Sequence, residues 1–536
     1  MAHYLPNTAI DLPSTSSEGG PSCDSQHLRY APCTRCLISL VKTRPTDNRS
    51  PSTLVHLLDD DSILIIFSFC RPVLLDESEA DDVQLIVEGG EWNRERWWYR
   101  LIQVCRRWRY LVLDSAFHLR VSLICARGTP VADMLAHSPP VPLIIDHIDE
   151  EYDVLTPEDE AGIILALQNR DRVRRIRIRK SVSILEKIVV VLEGEFPILE
   201  FLSIDDRRFV RPLINYITNM NLSETFRAPH LRELVLDNFA TPIESPPITT
   251  IGNLVTLWLT SIPSPGYFHP NVLLQRLSLM SQLETLGVGF NCFNPRRDVE
   301  KQLLRTRIMT RVTLPNLRYF TFGGTNAYLE VLLPWLTIPL LERLTVNFHS
   351  RMVYSIPHLR QLMSTAGNLR PKTAVIAFHE DHLGVAAYPH DAAELHTLDI
   401  ELAARHLDWQ VVSAAQVFNA LKTGFSAVES LTLRYNRHKM SSEWNRQADR
   451  TYWREFLGSF GKVKTLRVVE YELVEQVSRA LQPGKGESPT ELFPELQELL
   501  YSRRGAVDAF RGASDAFTPF VEARQKAGRP LTVSYY

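Results

Sequence analysis

Residues 228–239 read APHLRELVLDNF. Leu231, Leu234 and Leu236 stand at positions one, four and six of this pattern, and Pro229 lies two residues before the first of them. The last two are spaced as on one face of a strand, and the first sits where a tight turn can bury it. A proline just before such a leucine presets the backbone for the turn. The same arrangement returns as Val173, Ile176, Ile178; Leu199, Leu202, Ile204; Leu254, Leu257, Leu259; and Leu283, Leu286, Val288. It continues as Leu317, Phe320, Phe322; Leu341, Leu344, Val346; Leu395, Leu398, Ile400; Val428, Leu431, Leu433; Val463, Leu466, Val468; and Leu496, Leu499, Tyr501. The turn is written out again in FPILE, LPNLRY, IPLLER and FPELQE.

Eleven copies of one spacing imply a repeat array. A single strand and turn cannot bury their own apolar face, so neighbours must stack. Between copies run stretches such as NVLLQRLSLM and DWQVVSAAQVFNAL, whose helical spacing supplies apolar faces to cover the strands from one side. The expected fold class is therefore α/β: an irregular solenoid over residues 121–536 with a curved parallel sheet and outer helices. The interval is uneven, for example 23 residues from Leu231 to Leu254 and 35 from Val428 to Val463, so the outer helices are predicted to be uneven. An asparagine three residues past the third apolar position occurs at Asn291 and Asn436 but not in most copies. Arg529-Pro530 followed by LTVSYY reads as one closing strand.

The chain has 536 residues, 45% hydrophobic and 23% charged, which is ample for a large core. Its 59 basic and 62 acidic residues leave a formal charge of -3 and no global field for nucleic acid or anionic lipid. No basic segment with a following apolar run opens the sequence, and no uncharged apolar stretch is long enough for a bilayer. Seven cysteines, mostly within apolar segments, suit reduced thiols. A cytoplasmic or nuclear protein with no membrane association is expected. Cys33 and Cys36 form one CxxC with Cys23 and His27 upstream, but a zinc site would need paired spacings, so no metal and no cofactor is expected.

Residues 1–50 are rich in Ser, Thr, Pro and Gly and read as a disordered tail. Residues 51–120 read as a helical module. In LVHLLDDDSILIIFSFCRP, Asp59, Asp60 and Asp61 can cap a helix on which Ile63, Ile66, Phe67 and Cys70 follow at helical spacing until Pro72. In the second segment, which contains VCRRWRYLV (104–112), Trp98, Leu101, Ile102, Cys105, Trp108 and Val112 recur at steps of three and four, predicting one apolar helical face. A helix of this length needs a partner to cover that stripe. An acidic, glycine-interrupted insertion at about 74–97 separates the two; its Trp97 and Trp98 are expected to pack inward at a helix start rather than to form a binding tip with Trp92.

LLDDDSILIIFSF followed by LIQVCRRWRYLV resembles the F-box, a small three-helix module, over roughly residues 54–120. The whole layout is similar to the F-box and leucine-rich-repeat proteins of mushroom-forming (basidiomycete) fungi. The resemblance implies that the module docks a Skp-type adaptor and so joins a cullin-based ubiquitin ligase, with the solenoid binding an unknown protein target. Leu58, Ile63, Phe67, Val104, Cys105 and Trp108 match the family's apolar motif positions, which serve both the module's own core and the adaptor interface. Asp59 stands where many members have proline, and the insertion is a further departure. The alternative is a leucine-rich-repeat scaffold whose N-terminal helices only seal the end of the solenoid.

No catalytic constellation emerges, and a non-enzyme is expected. His379-Glu380-Asp381-His382 lacks the HExxH spacing that places two histidines on one helical face, and after the strand-like AVIAF it reads as a polar loop. Pro483–Ser488 lacks the geometry of a phosphate loop. RVRRIRIRK (172–180) places Arg175, Arg177 and Arg179 on one strand face, opposite Ile176 and Ile178. That stripe can bind an acidic peptide or phosphate, or it can be a solvated face balanced by the acidic loop DHIDEEYDVLTPEDE before it. Nucleic acid is the weaker reading, because no aromatic residues interleave with the arginines.

Overall fold

The computed structural model describes residues 58–70, 97–148, 155–206 and 220–535, save for 117, 120, 250, 292–306, 309, 350–354, 391–394, 405, 436–448, 485–486 and 503–515. The proposed tail at 1–50, its Cys23, His27, Cys33 and Cys36, the insertion with Trp92, and the helix stop at Pro72 lie outside the described residues.

The strands are β1 (Leu123–Cys125), β2 (Leu143–Ile148), β3 (Val173–Lys180), β4 (Phe201–Asp206), β5 (Glu233–Asp237), β6 (Thr256–Ile262), β7 (Thr285–Phe290), β8 (Val312–Thr313) and β9 (Tyr319–Gly324). They continue as β10 (Leu336–Thr337), β11 (Arg343–Phe348), β12 (Thr373–Phe378), β13 (His382–Tyr388), β14 (Leu398–Ala403), β15 (Ser430–Tyr435), β16 (Thr465–Val468), β17 (Glu498–Tyr501) and β18 (Thr532–Tyr535). Sixteen of them form one sheet, and β8 and β10 form a separate parallel pair.

Register explains why the sequence pattern is so regular. Ile176, Leu202, Leu234, Leu257, Leu286, Phe320, Leu344 and Leu398 are successive partners across the sheet. Ile178, Ile204, Leu236, Leu259, Val288, Phe322, Val346 and Ile400 form a second row two residues further along. Both rows are buried and face the helices, including Val182–Val191, Pro270–Leu277, Asn326–Leu332, Pro357–Thr365, Leu407–Ala420 and Tyr471–Leu481. A helix is about 10 Å wide and a strand repeats every ~4.8 Å, so a helix layer is wider than the sheet it covers and leaves the sheet on the inner, concave side. Among the described residues the other face of the sheet carries no helix.

Two departures from the expected array stand out. First, β1 and β2 extend the sheet N-terminal to the first repeat, outside the spacing pattern. Second, the sheet order runs β11, β14, β13, β12, β15, so three strands wind backwards against the direction of the solenoid. The middle one, β13, is antiparallel to both neighbours. The segment at 395–400 therefore follows an antiparallel strand instead of a helix and a buried turn, and Leu395 is 39% exposed where burial was expected. Leu398 and Ile400 keep their places in the two rows. At the end of the chain, β18 pairs in parallel with β17 as the sequence predicts.

Among its described residues the N-terminal module has three helices: α1 (Asp60–Cys70), α2 (Trp98–Ile102) and α3 (Arg106–Asp114). The single face predicted for 98–112 is broken at Gln103–Cys105, because Cys105 has extended backbone and begins α3 as its N-cap, accepting from the Trp108 amide at 3.5 Å. Asp59 caps α1 as expected, accepting from the Ser62 amide at 2.6 Å. Ile63, Phe67, Trp98, Ile102, Leu111 and Val112 join the same apolar core as the solenoid.

At this N-terminal end His147 of β2 is enclosed on the core face with no partner for either ring nitrogen. Burial, and then the neighbouring Lys180 charge, push its ring down to about 4. The unfolded chain takes up this proton at higher pH than the folded one, so stability is full above the ordinary histidine value of 6.5 and is lost as pH falls toward 4. Urea denaturation across that window is expected to show the loss in the wild type and a flatter profile for His147→Leu, with a gap on the order of 3 kcal/mol at the acid end.

Candidate interaction surfaces

Beyond its polar first turn the α1 sequence DDSILIIFSFC carries apolar residues on more than one side, whereas a helix on the rim of a core can bury only one stripe. Ile63 and Phe67, four apart, take the inward stripe, and Phe67 meets the Trp108 ring edge-on at a centroid distance of 4.8 Å. Ile65 and Phe69, also four apart, face outward, 58% and 82% exposed, with exposed Ile66 beside them. Ile66 and Cys70, expected on the inward stripe, are exposed.

The arginines of VCRRWRYLV join the helices. Arg107 pairs with Asp60 at 2.6 Å and donates to the Leu58 carbonyl at 2.6 Å, which fixes α3 against the start of α1. Arg109 donates to the Ile102 carbonyl at 3.1 Å, satisfying an end group of α2. Thus among the six residues matched to the adaptor motif, Ile63 and Phe67 lie wholly within the chain's own core, Cys105 and Trp108 are half-buried, and Leu58 and Val104 are exposed. Sequence reading missed Ile65, Phe69 and Tyr110 as outward residues. The signal was present in the run ILIIFSF, which holds more apolar residues than one stripe can hide.

β3 places Arg175, Arg177 and Arg179 on the helix-free face, as its alternation requires. Their charges are not free for an anion. Arg177 is 8% exposed and binds Asp146 of β2 at 2.9 and 2.5 Å, and Arg179 binds Asp205 of β4 at 2.5 Å. Arg175 lies over the Phe201 ring at 4.7 Å. Asp146 comes from the predicted acidic loop, but it stands in a strand; the described ends of that segment are the end of β2 and the start of the helix Pro157–Gln168. The basic stripe read from RVRRIRIRK is thus an internal ladder of the sheet.

His379 and His382 flank the two-residue turn of the β12–β13 hairpin with their rings stacked at 4.0 Å. Gln410, fully buried in the helix Leu407–Ala420, holds this turn: its Nε2 reaches the carbonyls of His379 (2.7 Å), His382 (3.2 Å) and Ala404 (2.8 Å). Among the described residues no group of three or more His, Cys, Asp or Glu is arranged to hold a metal ion. No helix among them is long and apolar enough to cross a membrane.

No family model and no curated protein matches the sequence. Similar solved structures include the protein of a TLR13–ssRNA13 complex, at 13% identity and TM-score 0.27 over 77% of this chain and 48% of that one. Another is the leucine-rich repeat-containing protein LegL7 from Legionella pneumophila, at 11% identity and TM-score 0.22 over 56% of this chain and 91% of that one. The chain spans about half the length of the first. A leucine-rich-repeat-like solenoid is defined here by the strand register and the one-sided helix layer.

Removing the guanidinium of Arg177 leaves the Asp146 carboxylate buried without its ion pair. Arg177→Met is expected to lower unfolding stability by about 3–5 kcal/mol in urea titration, and adding Asp146→Asn should recover part of that loss.

Proposed function

We propose that this chain is a non-catalytic substrate receptor of a cullin-based ubiquitin ligase, in which the N-terminal helices dock a Skp-type adaptor and the helix-free face of the solenoid holds the protein to be modified. The observation that carries the reading is the outward face of α1: Ile65, Ile66 and Phe69 are exposed together on one short helix, and Leu58, Val104 and Tyr110 are exposed in the same module. Apolar residues grouped in this way mark protein contact sites. The resemblance of 54–120 to the F-box supports an adaptor as the partner. The receptor's effect on rate would be proximity, raising the effective concentration of target lysines near the ligase.

A second reading has its own support. The inward residues Ile63, Phe67, Trp98 and Val112 belong to the solenoid core, which is what a helical end-seal requires. The two readings separate by face, because sealing uses the inward stripe and docking the outward one.

Replacing Ile65 and Phe69 with serine is expected to leave the melting temperature unchanged and to reduce recovery of a Skp-type adaptor from mixed purified components about tenfold or more. Phe67→Ala should instead lower the melting temperature, because it opens a cavity beside Trp108. Equal adaptor recovery by wild type and the serine variant, or none by wild type, would leave the scaffold reading standing.

A further inference from the structure

Along and beside the helix-free face, several carboxylates have cations next to them. Asp146 has Arg177, Asp205 has Arg179, Glu200 has Arg174 and Glu429 has Lys464. The middle of the sheet differs. Asp399 and Glu401 of β14 stand two residues apart and therefore point to the same side, with Leu398, Ile400 and Leu402 facing the core. Their lateral neighbours are Thr345 and Ala386 beside Asp399, and Asn347 and Gly384 beside Glu401. None of these is cationic, and neither carboxylate forms an ion pair among the described residues.

The surrounding charged groups do not make up the difference. On β11, Arg343 lies one register row away, over the Tyr319 ring at 5.3 Å. On β13, His382 is close enough to favour the Asp399 anion, but its Nδ1 is taken by Asp381 at 2.7 Å. A third acceptor lies beside the pair: the Asn347 side-chain oxygen is enclosed and has no donor. The half-buried Asp399 carboxyl is pushed up to about 7, first by burial and then by Glu401, against the pull of His382 and the Ile400 amide. Acceptors so poorly supplied call for a group that only donates.

The space for such a group is present. A Cβ built on Gly384 would meet nothing closer than the His379 ring at 3.6 Å, an ordinary contact. Packing does not force glycine there, and its bare backbone leaves room next to Glu401. Gly287, further along the same face, differs, since the Trp258 ring already occupies the place of its Cβ at 2.5 Å.

We infer that Asp399, Glu401 and Asn347 form a subsite for a cationic side chain, guanidinium or ammonium, presented by an extended basic segment of the protein held on the helix-free face. A guanidinium supplies five donors in a planar fork that can serve a carboxylate with two parallel bonds. A metal ion would find only two carboxylates here, and among the described residues no group of three or more His, Cys, Asp or Glu is arranged to hold one. The inference rests on the reading of this face as the target-binding surface and is independent of adaptor docking.

The test uses the full chain and Asp399→Asn/Glu401→Gln, titrated calorimetrically with an acetylated peptide of alternating arginine and serine and with its citrulline counterpart. At about 0.15 M ionic strength the wild type is expected to bind the arginine peptide about tenfold more tightly than the citrulline one, and the variant to lose that preference. Binding should weaken as pH falls from 8 to below 7, because the cation selects the ionised Asp399. The variant should melt no lower than wild type at pH 8, since it removes two unpaired like charges. Equal affinity for the two peptides, or an undiminished preference in the variant, overturns the subsite. So does a lower melting temperature of the variant at pH 8, which would mean that the carboxylates hold the fold. Unchanged adaptor recovery by this variant keeps the outcome separate from the ligase reading.

Discussion

Two rows of apolar side chains, continuous from strand to strand, are the constraint on which the rest of this molecule depends. Because side chains on a strand alternate, a shift of one residue anywhere would turn a buried leucine to water and an exposed polar group into the core. Each strand therefore holds the register of the next, and the helix-free face is whatever remains at the intervening positions. A stack of this kind must also be closed at its ends. At the N-terminal end Phe67, Trp98 and Val112 of α1–α3 join the core of the solenoid. At the C-terminal end the fully buried Arg524 donates to the carbonyls of Phe493 and Leu496, tying the last helix, Thr518–Lys526, to the turn before β17.

The same constraint shows why the reversed strands β12–β14 can sit within a parallel array. Antiparallel strands alternate just as parallel ones do, so Val385 and Ala387 of β13 fill the two rows between Ile400 and Leu398 on one side and Ile376 and Ala374 on the other. What changes is the residue size: the alanines narrow the first row there, and Gly384 and Ala386 empty the opposite face. The reversal is held by Gln410 through its contacts at both ends of the hairpin turn. A change of topology is thus absorbed by the core and expressed on the helix-free face.

This pattern of continuity and exception decides what could be read from the residues alone. The spacing seen in APHLRELVLDNF is local chemistry, a turn followed by period-two burial, and so the repeats that begin at Val173, Leu231 and Val463 were legible from their own residues. Strand order is not local. Nothing in LHTLDIELA distinguishes a strand reached from an outer helix from one reached through a hairpin, except that Leu395 is left without a pocket. Likewise, RVRRIRIRK correctly indicates a face of arginines, but their partners Asp146 and Asp205 lie on neighbouring strands whose register had to be known first. On α1, composition announced an excess of apolar residues, and only packing against Trp108 decided that Phe67 faces in and Phe69 out.

The chain thus carries two surfaces that lower its own stability. An exposed Phe69 beside Ile65 and Ile66 wets apolar area that a smaller or polar residue would not, and Asp399 beside Glu401 sets two like charges together in a half-buried place. The two apolar rows of the sheet are buried, and carboxylates such as Asp146, Asp205 and Glu429 have arginine or lysine partners. A molecule that supplies the missing apolar surface or the missing cation binds the folded chain and stabilises it by an amount set by its affinity and concentration. The two surfaces also call for opposite chemistry, one greasy and one cationic. On the proposed reading they would select different partners, as a protein joining two others requires.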